Sequence, residues 1–419
     1  MNLRRHISFL KSVFLYSITA FGGPQGHMLS MLKIFVDRRK DLTEKELLDL
    51  NTFCTLLPGA SSTQILILIA HRKGGLPLSI LTLMVWVFPA TLLMGSLSIL
   101  LTSPFPNNDP LLFFRFIQPM VVGFIIYAAY RSFLLIQETN TLVFLSILLS
   151  LLCLLFYKSP LIIPIVLCLG GFSTWIMSPR SDVVHFKRRP KIRWLNLTLF
   201  VCVFVISGIL SQLSRKHQWK ERAYFNLFEN CYRFGSIVFG GGDVMIPIMY
   251  EQYVARPTSQ RVKTRNQQVL KVEKNLFLSG AGIVRTIPGP VFSFSAFIGG
   301  STLQGRSSYH QLAGILTATV AIFLPSLLLV LFFYPLWDYM HRYESLMPIF
   351  KGIQVATVSI MIASAIYLSR DAILHLSNAR FHIHPINALG VIMTVLFLFY
   401  RTFPPLLIAL MFLLLGVII

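Results

Sequence analysis

The sequence predicts an all-α polytopic membrane protein built from two homologous repeats, with helices that are discontinuous or re-entrant at Gly/Pro motifs. Three observations predict this class. Hydrophobic residues make up 55% of the 419-residue chain and charged residues 13%, with a mean hydropathy of +0.68, whereas soluble domains are about one quarter charged. Long apolar stretches recur along the chain, and Gly/Pro motifs occur twice in the same order. Lipid is therefore the expected solvent.

The apolar stretches define the membrane-spanning elements in order, because a span needs about 17–25 mostly apolar residues. The candidates are 76–101, 111–136, 142–157, 161–177, 195–213, 312–336, 348–368, 386–399 and 405–419. Residues 180–193 and 256–274 are polar and basic and separate blocks of these spans. We expect a first repeat at 1–179, a basic linker with one extra transmembrane helix at 180–222, and a second repeat at 223–419.

The charge balance is strongly basic, with a formal net charge of +21 at pH 7. On an apolar chain this favours basic loops held on the cytoplasmic side of a membrane, and secondly attraction of an anionic substrate. The lipid bilayer is therefore an expected partner and nucleic acid is not. An odd number of spans separates the two repeats, which predicts that the second is inverted relative to the first. We expect a multi-pass protein of the cell inner membrane.

Gly/Pro motifs interrupt the apolar stretches at matched positions. Four landmarks recur in order: Phe21-Gly22-Gly23-Pro24 as Phe239-Gly240-Gly241-Gly242, Leu57-Pro58-Gly59-Ala60 as Ile287-Pro288-Gly289-Pro290, Phe88-Pro89-Ala90 as Leu324-Pro325-Ser326, and Gln118 as Gln354. A backbone group without a hydrogen-bond partner costs several kcal/mol in lipid, so the groups exposed at such breaks must find other partners. In one interpretation the breaks create half-helix N-termini whose free N–H groups bind an anion. In the alternative interpretation they are ordinary packing kinks. Duplicated breaks are typical of transporters.

Polar residues beside the breaks are candidate ligands for an anion. Ser61, Ser62, Thr63 and Gln64 follow the first Pro-Gly element, and Ser293 follows the second. Arg285 precedes the second element, where a charge within a membrane segment indicates function. The alternatives are hydroxyls bonded to the preceding turn and an arginine that reaches the interface. The candidate proton carriers are His27, Asp243, Glu251 and Glu46, of which Glu46 is more typical of a solvated helix start.

These motifs resemble the chromate ion transporter family in its long form with two homologous halves. The family's patterns appear as FGGPQGH and LPGASSTQ in the first half and as FGGGDVMIP and PGPVFSF in the second. The resemblance implies chromate movement across the cytoplasmic membrane, usually outward, with sulfate linked to some members. It implies functional roles for Phe21, Gly22, Gly23, Pro24, His27, Pro58, Gly59, Gln64, Phe239, Gly240, Gly241, Gly242, Pro288, Gly289 and Pro290. Ala60 departs from the family's usual second proline, and Thr55 and Arg285 occupy positions where glutamine is common.

The expected function is transport of a divalent oxyanion, most simply chromate efflux, with sulfate as its geometric look-alike. The anion would bind between half-helix ends of the two repeats. Carriage of another small anion, or a non-transporting membrane scaffold or receptor, remains the alternative. An enzyme needs convergent acid/base groups or metal ligands, and the spacing of His, Cys, Asp and Glu provides neither, so we expect no catalytic residue, metal or cofactor. A homodimer is left open.

Overall fold

A computed structural model describes residues 6–21, 23–102, 116–134, 136, 139–156, 162–178, 194–239, 241–258, 262, 269–337, 347–377, 380–383, 385–400 and 403–418. These residues are overwhelmingly helical, which confirms the predicted fold class. In the described part of the chain, five helices are long and apolar enough to cross a membrane: Ser61–Thr102, Ile117–Leu134, Trp194–Lys216, Ser308–Leu336 and Pro348–Arg370. Each apolar stretch predicted from the sequence contains a helix.

The first half of the chain contributes seven helices to the described residues. They are α1 (Ile7–Thr19), α2 (Gly23–Met31, followed by a π-helical turn at Leu32–Arg38), α3 (Glu44–Thr55), α4 (Ser61–Thr102), α5 (Ile117–Leu134), α6 (Asn140–Leu155) and α7 (Ile162–Met177). Non-helical backbone angles at Gly74 and Gly75 divide α4 into two parts. Only the second of these parts is predicted as a span from the sequence, because the first follows directly on a Gly/Pro break.

The second half begins with α8 (Trp194–Lys216) and repeats the pattern of the first. Its helices are α9 (Arg222–Ile237), α10 (Gly242–Tyr250, with a π-helical turn at Glu251–Ala255), α11 (Lys274–Ile283), α12 (Phe294–Ser301, preceded by a 3-10 turn at Val291–Ser293), α13 (Ser308–Phe333, followed by a 3-10 turn at Tyr334–Leu336), α14 (Met347–Ile373), α15 (Pro385–Phe399) and α16 (Pro405–Ile418). A helix therefore ends and another begins at each predicted break.

A short antiparallel hairpin among the described residues departs from the all-α class that the sequence predicts. Its strands are β1 (Leu374–Ser377) and β2 (Arg380–Ile383), with Leu374 paired to Ile383. The sequence predicts a loop at 382–384, because this His-Ile-His segment lies between two apolar stretches and has no third metal ligand. Two strands of four residues are too short to produce a recognisable alternation of polar and apolar side chains.

The chain forms two compact units, and each takes segments from both halves. The first contains Met1–Thr102, Asp182–Met245 and Ile287–Tyr343, and the second contains Ser103–Ser181, Ile246–Thr286 and Glu344–Ile419. In the first unit, α13 packs against α9, α12 and α4. In the second, α14 packs against α7, α6 and α5, and Gly170 approaches the backbone of Gly352 so closely that no side chain fits there.

Candidate functional site

The Gly/Pro motifs of all four breaks lie in the first compact unit. The chain leaves a helix at Thr19, Thr55, Ile237 and Ile283 and enters the next at Gly23, Ser61, Gly242 and Val291. The glycines at the breaks adopt positive φ angles in matched pairs: Gly23 (68°) with Gly241 (88°), and Gly59 (117°) with Gly289 (108°). Only glycine enters this region at little cost, which explains the residue type at these four positions.

Reciprocal hydrogen bonds join the breaks of the two repeats. The Gly59 N–H donates to the carbonyl of Val238 over 2.7 Å, and the Gly289 N–H donates to the carbonyl of Ala20 over 3.1 Å. Ala20 and Val238 each directly precede the FGG motif of their own repeat. Each Pro-Gly element is therefore bonded to the break of the other repeat, and these bonds satisfy backbone groups that would otherwise be unpaired within an apolar unit.

A small cavity lies where the breaks meet. The space open to a water-sized sphere is about 20 Å³, enough for about one water molecule. The residues that line it come from all four breaks: His27, Ala60, Ser61, Ser62, Thr63, Gly241, Gly242, Pro290, Val291 and Phe292. The first residues of α4, of α10 and of the 3-10 turn before α12 therefore converge on one point.

The cavity wall contains a helix N-terminus, and its two sides differ in polarity. Gln64 is the first residue of α4 whose N–H bonds back to the preceding turn, at the carbonyl of Ala60, so the N–H groups before it lie at a helix N-terminus that carries about half a positive charge. Hydroxyls line the first repeat's side, whereas Val291 and Phe292 line the second repeat's side. None of the described lining residues is acidic. Such a wall suits a small anion.

His27 is the titratable residue of the described cavity wall. It is 4% exposed, and its Nδ1 shares a hydrogen bond of 3.0 Å with the hydroxyl of Ser62. The ring of Trp86 meets the imidazole edge-on, with 5.5 Å between ring centres. The imidazole is therefore held by the Ser62 hydroxyl of the cavity wall and by an edge-on contact with the Trp86 ring.

Several residues that support the cavity were not predicted from the sequence. Trp86 donates its indole N–H to the hydroxyl of Thr63 over 3.0 Å and stacks on Tyr16 at 4.5 Å. The hydroxyl of Ser326 accepts a hydrogen bond from the N–H of Ala60. Aromatic residues occur throughout this chain, so neither Trp86 nor Tyr16 carries a signal of its own. Ser326 does carry one, because it follows the matched Pro325 landmark.

The remaining predicted residues of the first unit lie at or beside the breaks. Gln64 is fully buried and donates to the carbonyl of Pro58 over 2.8 Å, while its side-chain oxygen and the buried hydroxyl of Ser293 have no hydrogen-bond partner among the described residues. Phe21 is 40% exposed and lies outside the described cavity wall. Phe239, Pro58 and Pro288 are half-buried. Gly22 and Gly240 lie outside the described residues, as do the side chains of Pro24 and Asp243.

Two other predicted residues belong to the second unit. The guanidinium carbon of Arg285 lies 5.5 Å from the centre of the Phe124 ring. Glu251 is 5% exposed and lines a second cavity of about 20 Å³ with Ser364 and otherwise apolar or thiol side chains. Their proposed roles, anion neutralisation and proton carriage, remain predictions. Glu46 lies on the exposed start of α3 in the first unit.

Comparison with known proteins bears on the family of this chain and on its duplication. The profile of the family described as "Chromate transporter" matches residues 7–175 and 225–417, which supports the two-repeat architecture. An uncharacterized transporter of Methanocaldococcus jannaschii is 24% identical over 420 aligned positions, covering 99% of this chain and 93% of the relative. No solved structure matches the chain.

Proposed function

Because this chain belongs to the chromate transporter family and is a multi-pass membrane protein, we propose that it carries a divalent tetrahedral oxyanion. Chromate, moved outward across the cell inner membrane, is the proposed substrate, and sulfate is its look-alike. The observation that carries the proposal is the convergence of four Gly/Pro breaks on one cavity. Hydroxyls and helix N-termini line that cavity, and no described acidic side chain does.

The cavity wall offers what an oxyanion needs. Ser61, Ser62 and Thr63 combine hydroxyl donors with N–H groups of the first turn of α4, and helix N-termini bind anions through such groups. With its proton on Nδ1, His27 would donate to the Ser62 oxygen and leave the Ser62 hydroxyl proton free to bind the anion. The Val291 and Phe292 side would exclude water and so strengthen these interactions.

Transport requires the cavity to change size. A space of about 20 Å³ holds about one water molecule. A tetrahedral oxyanion has four oxygens and needs a larger cavity. The breaks would therefore separate to admit the anion and close behind it, with the two repeats rocking against each other as in other duplicated transporters. Arg285 is proposed to neutralise part of the anion's charge on this path.

The test measures uptake and efflux of labelled chromate and sulfate, and of labelled phosphate as another small anion, in vesicles that contain the purified protein. Gly241→Leu places a side chain at a positive φ angle in the cavity wall, and we expect the initial rate to fall about tenfold or more, since such strain alone costs roughly 1–2 kcal/mol. Gly208→Leu is the matched control, because open space surrounds Gly208. Arg285→Gln is compared with Arg306→Gln, at an exposed turn.

Each outcome decides between the proposal and its alternatives. Movement of another anion but of neither chromate nor sulfate would reassign the substrate. Failure of the wild type to move any anion would favour a scaffold or receptor. Unchanged flux of a well-expressed Gly241→Leu variant would exclude this cavity as the binding site.

A further inference from the structure

The two Pro-Gly elements differ by one hydrogen-bond donor. In the second repeat Gly289 is followed by Pro290, which has no N–H, whereas in the first repeat Gly59 is followed by Ala60, which has one. Ala60 is 6% exposed and lies within an apolar unit. A buried backbone donor requires a partner, so the first repeat has to supply an acceptor that the second does not need.

The acceptor is the side chain of Ser326. Its oxygen lies 3.2 Å from the nitrogen of Ala60, and Ser326 is fully buried. By the internal match of Phe88-Pro89-Ala90 with Leu324-Pro325-Ser326, the equivalent residue opposite Gly289 is Ala90. A methyl group added to Gly289 would lie 2.7 Å from the Ala90 side chain, which shows that the two contacts are equivalent in place.

We propose that Ser326 is a positioning residue for the anion site. It satisfies the extra donor of Ala60 and thereby holds the first Pro-Gly element, from which Ser61 and Ser62 enter the cavity wall. The Ser326 hydroxyl lies opposite the Pro-Gly element that has the extra N–H, at Ala60. The Ala90 methyl group lies opposite the other element, where Pro290 has no N–H. Ala60 and Ser326 therefore form a coupled pair, and its effect on transport rests on the proposed function.

In the second repeat, Pro290 and Ala90 occupy the places that Ala60 and Ser326 occupy in the first. Gly59 and Gly289 have similar φ angles, 117° and 108°, and Pro290 adopts φ −72° at the start of its 3-10 turn. Proline can therefore replace Ala60 as far as the backbone is concerned. Its ring would take the place of the N–H and crowd the Ser326 hydroxyl, and this crowding is removed when residue 326 carries only a methyl group.

The experiment is a double-mutant cycle on the purified full-length protein. Wild type, Ser326→Ala, Ala60→Pro and the combined variant are compared in chromate and sulfate flux and in Tm in detergent. We expect each single change to raise the KM for the transported anion about threefold to tenfold, the range that one hydrogen bond supplies, with a smaller change in the maximal rate. Each single change should also lower Tm. The combined variant should return within about twofold of wild-type KM and should recover Tm.

A matched control and two outcomes complete the test. Ser150→Ala removes a hydroxyl whose one hydrogen bond among the described residues is to the preceding turn of α6, and it should leave KM unchanged. Additive losses in the combined variant, in KM and in Tm, would overturn the pairing. If the wild type moves neither anion, the proposed transport function fails, while the Tm cycle still decides whether Ala60 and Ser326 are coupled.

Discussion

Positions 59 and 289 impose two requirements that only glycine meets. Both have φ angles above +100°, a region that costs other residues roughly 1–2 kcal/mol. Neither has room for a side chain, since a Cβ on Gly59 would collide with the Ser326 hydroxyl and one on Gly289 with Ala90. The close approach is what allows the Pro-Gly element of each repeat to bond to the break of the other.

Alanine at either position should therefore destabilise the first unit. We expect Gly59→Ala and Gly289→Ala each to lower Tm in detergent and to abolish anion flux. Gly305→Ala is the control, because Gly305 has a φ of 80° but open space around it, so the substitution introduces backbone strain without a collision. An effect at Gly59 no larger than at Gly305 would show that close packing is unimportant.

Trp86 supports the cavity wall through the hydrogen bond that its indole N–H donates to Thr63. Trp86→Phe should retain an aromatic ring against Tyr16 but remove the donor to Thr63. We expect a loss of stability of about 1 kcal/mol, the net contribution of one hydrogen bond, and a reduced rate of transport. Thermal unfolding and vesicle flux measure the two effects. Trp175→Phe, at a 52% exposed position of α7, should change neither.

At the scale of an element, α3 begins with a complete capping box. The Thr43 side chain accepts from the Glu46 N–H, and the Glu46 carboxylate accepts from the Thr43 N–H over 2.7 Å. The backbone and side chain of Thr43, followed by Arg72, hold the pKa of the Glu46 carboxyl below its ordinary value. Glu46 is therefore a helix-start residue, and its described surroundings show no feature that favours proton carriage by it.

Removal of the cap should weaken the start of α3. Thr43→Ala should destabilise the protein by about 1 kcal/mol, whereas Thr52→Ala, on the exposed side of the same helix, should be nearly neutral. Because the folded-state pKa of Glu46 is lowered, its contribution is present above the ordinary glutamate pKa and is lost as the pH falls through the lowered value. Tm measured against pH should show a smaller acid-side decrease in Thr43→Ala than in wild type.

The two compact units of the folded chain do not coincide with the two repeats of its sequence. The first compact unit combines Met1–Thr102 with Asp182–Met245 and Ile287–Tyr343, so it contains both Pro-Gly elements and both FGG motifs. The division of the duplicated chain into 1–179, 180–222 and 223–419 remains a prediction, as does the inverted orientation of the second repeat. Each half alone would leave uncovered the surface of α4 that packs against α12 and α13, and the surfaces of α12 and α13 that pack against α4.

A split protein tests this interleaving. Expressed separately, residues 1–185 and 186–419 should each be degraded or aggregate, because neither contains a complete compact unit. Expressed together, they should copurify and restore flux, since the cut lies in the basic segment between the repeats. The measurement is affinity copurification followed by vesicle transport. A half that purifies alone as a monodisperse, thermally cooperative species would contradict the interleaved architecture.

Local features of the sequence determined the fold class, the helices and the positions of the breaks. Apolar runs of sufficient length must be helices in lipid, and paired Gly and Pro residues interrupt them wherever they occur. The matched landmarks also identified Gly23 with Gly241 and Gly59 with Gly289, because duplicated backbone conformations keep the residues that permit them.

Only the tertiary structure decided which of these residues meet. It brought all four breaks into one unit, gave the cavity a polar wall from Ser61 and Ser62 and an apolar wall from Val291 and Phe292, and placed Arg285 in the other unit. Trp86 entered the site for the same reason, whereas Ser326 also belongs to the matched Leu324-Pro325-Ser326 landmark. Contacts between residues far apart in the chain depend on helix packing across both halves, and no local pattern in the sequence records that packing.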